Sequence, residues 1–163
     1  PEVRVEPLGR EEIEHRIKAR LGRKVVVVGA CTGSDAHTVG IDAILNYKGI
    51  AGDKGLESYK GFDAHNLGAQ VPNEELAQRA RALKADAILV SQIITQRNCH
   101  KENARALVEL VEGQGWRKEV ILLLGGPRID HELALSLGFD AGFGPGTKPA
   151  EVASYLIDRL TTG

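Results

Sequence analysis

Four consecutive valines, Val25 to Val28, follow the charged pair Arg23-Lys24 and precede Gly29. β-Branched side chains are stiff at χ1 and favour an extended backbone, and a run with no polar alternation is buried on both faces. The run therefore predicts a strand over residues 24–28 in the interior of a parallel sheet. Apolar runs of strand length recur at 62–65, 87–91, 120–124 and 139–143. Between and after them lie segments of helical period, at 38–48, 73–83, 99–112, 131–137 and 149–160. In the first of these, Val39, Ile41, Ile44 and Leu45 cluster on one side and Gly49 offers a stop. Five alternating βα units imply a parallel sheet covered by helices on both faces, with ligands at the carboxyl ends of the strands.

The expected fold is α/β, flavodoxin-like (Rossmann-like), with five strands in the order 2-1-3-4-5. A chain of 163 residues, 42% of them hydrophobic, suits one domain with a real core. Residues 1–20, rich in Glu, Arg and Lys, read as a charged lead-in of one or two helical turns, and residues 21–163 as the domain. A net charge of -1 gives no global pull toward nucleic acid or an anionic membrane, and the longest apolar run is far too short to span a bilayer. Partners must be sought in a site. Cys31 and Cys99 are too few for a disulfide framework or a zinc site, and no secretory signal opens the chain, so a reducing cytoplasm is the expected compartment.

The loops after the first, third, fourth and fifth strands should converge on one edge. They read ACTGSDAH, SQIITQ, GGPR and FGPGTK, all rich in small, polar or glycine residues. A nucleotide-binding turn fits the first loop poorly, because Gly29 and Gly33 give G-x-x-x-G and no acidic residue ends the second strand. An isolated histidine near a helix start is usually a cap or a surface residue. Asp35, two residues before His37, changes that reading: a carboxylate that accepts the second imidazole N–H fixes the tautomer and strengthens the free nitrogen as a metal ligand. Gly40 removes a side chain one turn on. His15, His100 and His131 read as surface residues, and Cys31 as small-residue packing. His65 ends the second strand near the same edge, within reach of a ligand there.

Asp35-Ala36-His37-Thr38-Val39-Gly40 resembles the D-x-H-x-x-G motif of cobalamin-binding domains. The resemblance implies that His37 displaces the nucleotide base of cobalamin and becomes the lower axial ligand of cobalt. Ser91-Gln92-Ile93 matches the family's S-x-L, with isoleucine for leucine, and Gly125-Gly126 its paired glycines. The displaced nucleotide tail then needs a slot in the sheet edge, opened by Gly125 and Gly126, with the Ser91 hydroxyl near the base. Thr95 and Gly144-Pro145-Gly146, in the converging loops, join the expected cofactor-binding set.

Over about residues 24–160 the chain is similar to the small-subunit family of lysine 5,6-aminomutase, through GSDAHTVGIDAILNYKGIAGDKGLE, NLGAQVPNEE, LVSQIITQ, LLLGGPRI and GFDAGFGPG. By itself Lys48 reads as a cation at a helix C-terminus. The family resemblance makes it the catalytic lysine that forms a Schiff base with pyridoxal 5'-phosphate. It also implies adenosylcobalamin, a larger barrel subunit as partner, a lysine-type diamino acid as substrate, and 1,2-amino migration by a radical mechanism. One helix from Thr38 to Lys48 would separate Lys48 from His37 by roughly 16 Å along its axis, so the domain would have to move between a resting and an active position. Ornithine 4,5-aminomutase and a non-catalytic corrinoid carrier are the competing readings. The family's small subunit carries an extra N-terminal region that twenty residues cannot supply, so a fragment and a shorter protein are both left open.

Overall fold

The computed structural model describes residues 9–32, 39–46, 54–91, 99–126, 129–144 and 147–161, with the side chains at 39, 40, 43 and 99–101 left aside. The valine run does form an interior strand, but the strand does not stop at Val28 as expected: β1 spans Val25–Cys31. It pairs in parallel with β2 (Phe62–Asn66) on one side and β3 (Ala87–Ser91) on the other. β4 (Ile121–Gly125) and the short β5 (Ala141–Phe143) complete the order β2-β1-β3-β4-β5.

The extension of β1 through Gly29 has a packing cause. A Cβ at Gly29 would collide with the Leu45 side chain and stand 2.9 Å from Ile41 Cδ1. Both belong to α2 (Val39–Leu45), which lies flush on the strand there. The glycine that reads as a turn is the seat of a helix.

The remaining helices are α1 (Arg10–Arg16), α3 (Asn73–Ala82), α4 (Cys99–Gly113), α5 (His131–Ser136) and α6 (Pro149–Thr161). Strand alternation sorts the core into two halves. Val28, Ile88, Val90, Leu122 and Leu124 meet Leu76, Leu107, Val108 and Ala134 from α3, α4 and α5. Val25, Val27, Leu89 and Leu123 meet Ile41, Leu45, Leu156 and Ile157 from α2 and α6. Each fully buried Leu or Ile contributes about 1.5–3 kcal/mol.

The charged N-terminal segment is longer in structure than one or two turns. α1 continues through a π-helical turn, Ile17–Leu21, and stops at Gly22 with φ 65°. Ile13 and Ile17, four residues apart, are both buried in the α2–α6 half of the core. Glu14 accepts the N–H groups of Lys60 and Gly61, and Arg10 donates to the Ser58 carbonyl and hydroxyl.

α2 is shorter than the sequence predicts. It ends at Leu45, and Asn46 is a bend. The returning chain packs closely there: a Cβ at Gly55 would collide with the Asn46 carbonyl. His37 and Lys48 themselves lie outside the described residues, so their separation stands as an expectation.

Candidate functional site

Register places four residues side by side at the carboxyl edge: Cys31 pairs with Ser91, Ser91 with Gly125, and Gly125 with Phe143. Alternation puts all four on the face that α2 and α6 cover, the face to which Val27, Leu89 and Leu123 also point. Cys31 is fully buried and Ser91 is 9% exposed. The row is narrow in side-chain volume at its centre, a hydroxymethyl beside a hydrogen atom.

Gly125 differs from the other glycines of this edge. Gly29 is filled by α2, Gly142 by α5 (a Cβ would lie 2.7 Å from Ala134 Cβ), and Gly144 would bring a Cβ to 3.0 Å from the Ile129 carbonyl oxygen. Among the described residues, a Cβ at Gly125 would meet only the Phe143 carbonyl oxygen, at an ordinary 3.6 Å. Three glycines let the chain pack on itself. Among the described residues the fourth meets no such close contact, and it lies next to Ser91 in the sheet register. Gly126, next in sequence, has φ 154°, a backbone that L side chains rarely adopt, and its N–H donates to the Phe143 carbonyl.

Of the residues singled out from sequence, Ser91, Gly125, Gly126 and Gly144 are thus brought to one edge. The backbone of Val39 and Gly40 forms the first turn of α2 on the same face. Asp35, Ala36, His37, Thr38, Lys48, Gln92, Thr95, Pro145 and Gly146 lie outside the described residues. His65 points to the opposite face of the sheet from this row, with Nε2 3.1 Å from an Asp63 carboxylate oxygen. His131 is half-buried, not a surface residue, and its Nδ1 accepts the Gly142 N–H at 3.4 Å. His15 is exposed, as expected. No group of three or more His, Cys, Asp or Glu among the described residues can hold a metal ion, and no described helix is long and apolar enough to cross a membrane.

Two polar networks beside the edge escaped sequence reasoning. Thr32, just past the row on β1, accepts from Asn103 Nδ2 at 3.1 Å, and Asn73 Nδ2 in turn donates to the Asn103 carbonyl at 3.0 Å. On the other flank, Asn66 Nδ2 donates to Asp42 Oδ1 at 2.8 Å and to Asn46 Oδ1 at 2.9 Å. Their only sequence signal is an amide residue at a strand or helix end, which is common in any fold.

Compared with known proteins, residues 25–154 match the model of the B12 binding domain. The chain belongs to the B12-binding domain family. Within it, the chain is 54% identical over 158 residues to the lysine 5,6-aminomutase β subunit of Acetoanaerobium sticklandii, a match that spans 97% of this chain and 60% of that subunit. It is 36% identical to the D-ornithine 4,5-aminomutase β subunit of the same organism, covering 98% of this chain and 20% of the relative. The B12-binding fold is visible in solved structures as well: a cobalamin-binding protein from Desulfitobacterium hafniense superposes with a TM-score of 0.65 at 18% identity, over 86% of this chain and 60% of that one. The chain spans about 60% of the length of the lysine 5,6-aminomutase subunits it matches.

Proposed function

We propose that this B12-binding domain is the cofactor-bearing part of an adenosylcobalamin- and pyridoxal-phosphate-dependent aminomutase acting on lysine or β-lysine. The observation that carries the reading is the row of small residues Ser91 and Gly125, paired in register on the face that α2 and α6 cover, in a chain that matches the B12-binding domain model. Among the described residues a Cβ at Gly125 would meet only the Phe143 carbonyl oxygen, at 3.6 Å, whereas Gly29, Gly142 and Gly144 of the same edge are closed by the chain's own atoms, and such a row of small residues suits a cofactor with a long appended tail. The Ser91 hydroxyl, on the same face, offers a hydrogen bond to the buried base of that tail. Identity of 54% to a lysine 5,6-aminomutase subunit supports the substrate class, and the lower identity of 36% puts an ornithine-type substrate second.

In this reading His37 holds the cobalt from below, and Asp35 accepts the other imidazole N–H, keeping the ligating nitrogen unprotonated. Gln92 and Thr95, which follow β3 in sequence, and Gly144, Pro145 and Gly146, which follow β5, would complete the cofactor-binding set. Lys48 is the attachment point for pyridoxal phosphate, and a larger barrel subunit supplies the pocket for its phosphate and for the diamino acid. When bound, adenosylcobalamin supplies radical chemistry and pyridoxal phosphate holds the migrating amine. The chain's own contribution would be to hold both groups on one body, His37 for the cobalamin and Lys48 for the pyridoxal phosphate, that moves relative to the partner. A reducing, cytoplasmic setting suits the buried Cys31 thiol.

The test is to mix the protein with adenosylcobalamin and pyridoxal phosphate, with and without the larger subunit, and to reduce with borohydride. The label should appear on the peptide containing Lys48 only when the larger subunit is present, because an ordinary lysine, with pKa about 10.4, is mostly protonated at neutral pH. A label confined to the larger subunit, or scattered equally over exposed lysines such as Lys54 and Lys60, would reduce the chain to a plain cobalamin carrier.

A further inference from the structure

We infer that Asn66 is a positioning residue that holds the exit of α2, two residues before Lys48 in sequence, at a fixed place on the sheet. The inference rests on the aminomutase reading above, because it concerns what α2 carries. In sequence, His37 lies two residues before α2 begins and Lys48 two residues after Asn46, the bend that ends it. The two ends of α2 are secured differently. Packing holds the body of the helix, through Ile41 and Leu45 seated in the hollow at Gly29. Hydrogen bonds hold its exit.

Asn66 is the last residue of β2 and pairs in register with Gly29. Its amide nitrogen spends both protons on α2 and the bend, one on Asp42 Oδ1 at 2.8 Å and one on Asn46 Oδ1 at 2.9 Å. Its carbonyl oxygen accepts the Gly68 N–H at 3.0 Å, which fixes the orientation of the amide. The Asn46 N–H continues the helical ladder to the Asp42 carbonyl at 2.9 Å, and Gly55 passes tightly against the Asn46 carbonyl. The chain is therefore pinned by side-chain and backbone contacts two residues before Lys48. A carboxylate at position 66 would face the acceptor-only Asp42 carboxylate, whereas the Asn46 amide could turn to donate, so the bond to Asp42 makes the clamp specific for an amide at 66. Nothing in hydrophobic packing needs this: Asn66, Asp42 and Asn46 are only half-buried.

Three variants test the clamp: Asn66→Ala, Asn66→Asp, and the reciprocal pair Asp42→Asn with Asn66→Asp, which restores a donor opposite an acceptor. Backbone amides of residues 41–46 should exchange hydrogen about tenfold faster in both single variants, with β3 and β4 unchanged, because the helix exit opens locally and the core does not. In the complex with the larger subunit, borohydride-trapped label at Lys48 should fall about tenfold in the single variants, while cobalamin affinity stays within about threefold, since the packed body of α2 is intact. The reciprocal pair should recover both exchange and labelling to within about threefold of wild type. Wild-type exchange and labelling in Asn66→Ala would overturn the inference, as would a failure of the reciprocal pair to recover either. Loss of cobalamin binding in Asn66→Ala with unchanged exchange would also overturn it, by making Asn66 a ligand contact. If wild-type protein shows no label at Lys48, the aminomutase reading fails, and the exchange pattern still decides whether Asn66 holds the exit of α2.

Discussion

The two edges of the sheet are built from opposite materials. At the amino edge, Asp86 and Asp140 precede β3 and β5 and do the same work in the same way. Each carboxylate accepts the N–H of a neighbouring strand, Val26 at 2.9 Å and Leu122 at 2.8 Å. Each also meets an arginine: Arg23 donates to both oxygens of Asp86 at 2.8 Å, and Arg117 reaches Asp140 at 3.1 Å. The Asp86 carboxylate pushes the Arg23 guanidinium above its ordinary value, chiefly through their side-chain hydrogen bonds. At the carboxyl edge the corresponding positions are a cysteine, a serine, a glycine and a phenylalanine, with no carboxylate among them. One edge pairs charged groups across its strands, and the other, among the described residues, sets a serine beside a glycine at its centre. An edge that pairs its own charges supports stability; a row of small residues suits the approach of a bound molecule.

The largest expected effect breaks the carboxyl edge without touching the fold. Gly125→Leu should weaken binding of cobalamin with its full nucleotide tail about a hundredfold, the scale of an overpacked contact of about 3 kcal/mol. Cobinamide, which lacks the tail, should bind within about threefold of wild type by the same titration, and the urea midpoint should stay put. Gly125 serves this test better than Gly126, whose φ of 154° would strain any side chain whatever the space.

Breaking the amino edge should do the reverse. Asp86→Ala leaves the Val26 N–H without its acceptor and should cost about 1–3 kcal/mol in urea unfolding, with cobalamin affinity of the folded protein unchanged. Arg23→Ala should cost under about 1 kcal/mol, because the arginine is half-exposed and its ion pair is screened. Equal losses in the two variants would mean that the ion pair, and not the strand amide, is what Asp86 supports.

A smaller effect sharpens the picture of the same edge at high pH. Tyr155 sits on α6 with its ring edge-on to Phe143, its hydroxyl accepts from Arg159 at 2.6 Å, and it donates to the Asp140 carbonyl at 3.4 Å. Burial pushes the phenol above its ordinary value. A group whose folded pKa is raised stabilises the fold fully below its unfolded value, near 10 for tyrosine, and that stability is lost as pH rises through the folded value. Urea midpoints should therefore fall above about pH 10 more steeply in wild type than in Tyr155→Phe. Parallel curves would remove Tyr155 from the account.

Much of this was legible in the residues, for definite reasons. Apolar runs of strand length alternating with helical period leave few topologies, and the order 2-1-3-4-5 followed. The ends of elements were less legible, since Gly29 read as a turn is a packing position that depends on Leu45, sixteen residues away in sequence and invisible to any local pattern. The charged lead-in hid a buried Ile13 and Ile17 at helical spacing. Within the site, Ser91 and Gly125 were legible only through the resemblance to the S-x-L and paired-glycine positions of cobalamin-binding domains, since a small residue at a strand end is common in any fold. Asn66 did not, because its partners Asp42 and Asn46 are brought to it only by the crossover between the strands.

The most direct test of the central claim, that this edge holds cobalamin with His37 beneath the cobalt, is electron paramagnetic resonance of the reduced cob(II)alamin complex made with ¹⁵N-histidine protein. The account predicts that the nitrogen superhyperfine splitting changes from a triplet to a doublet pattern on labelling, and that this label-dependent splitting is lost in His37→Ala. Splitting that ignores the label, and so comes from the cofactor's own base, would contradict it.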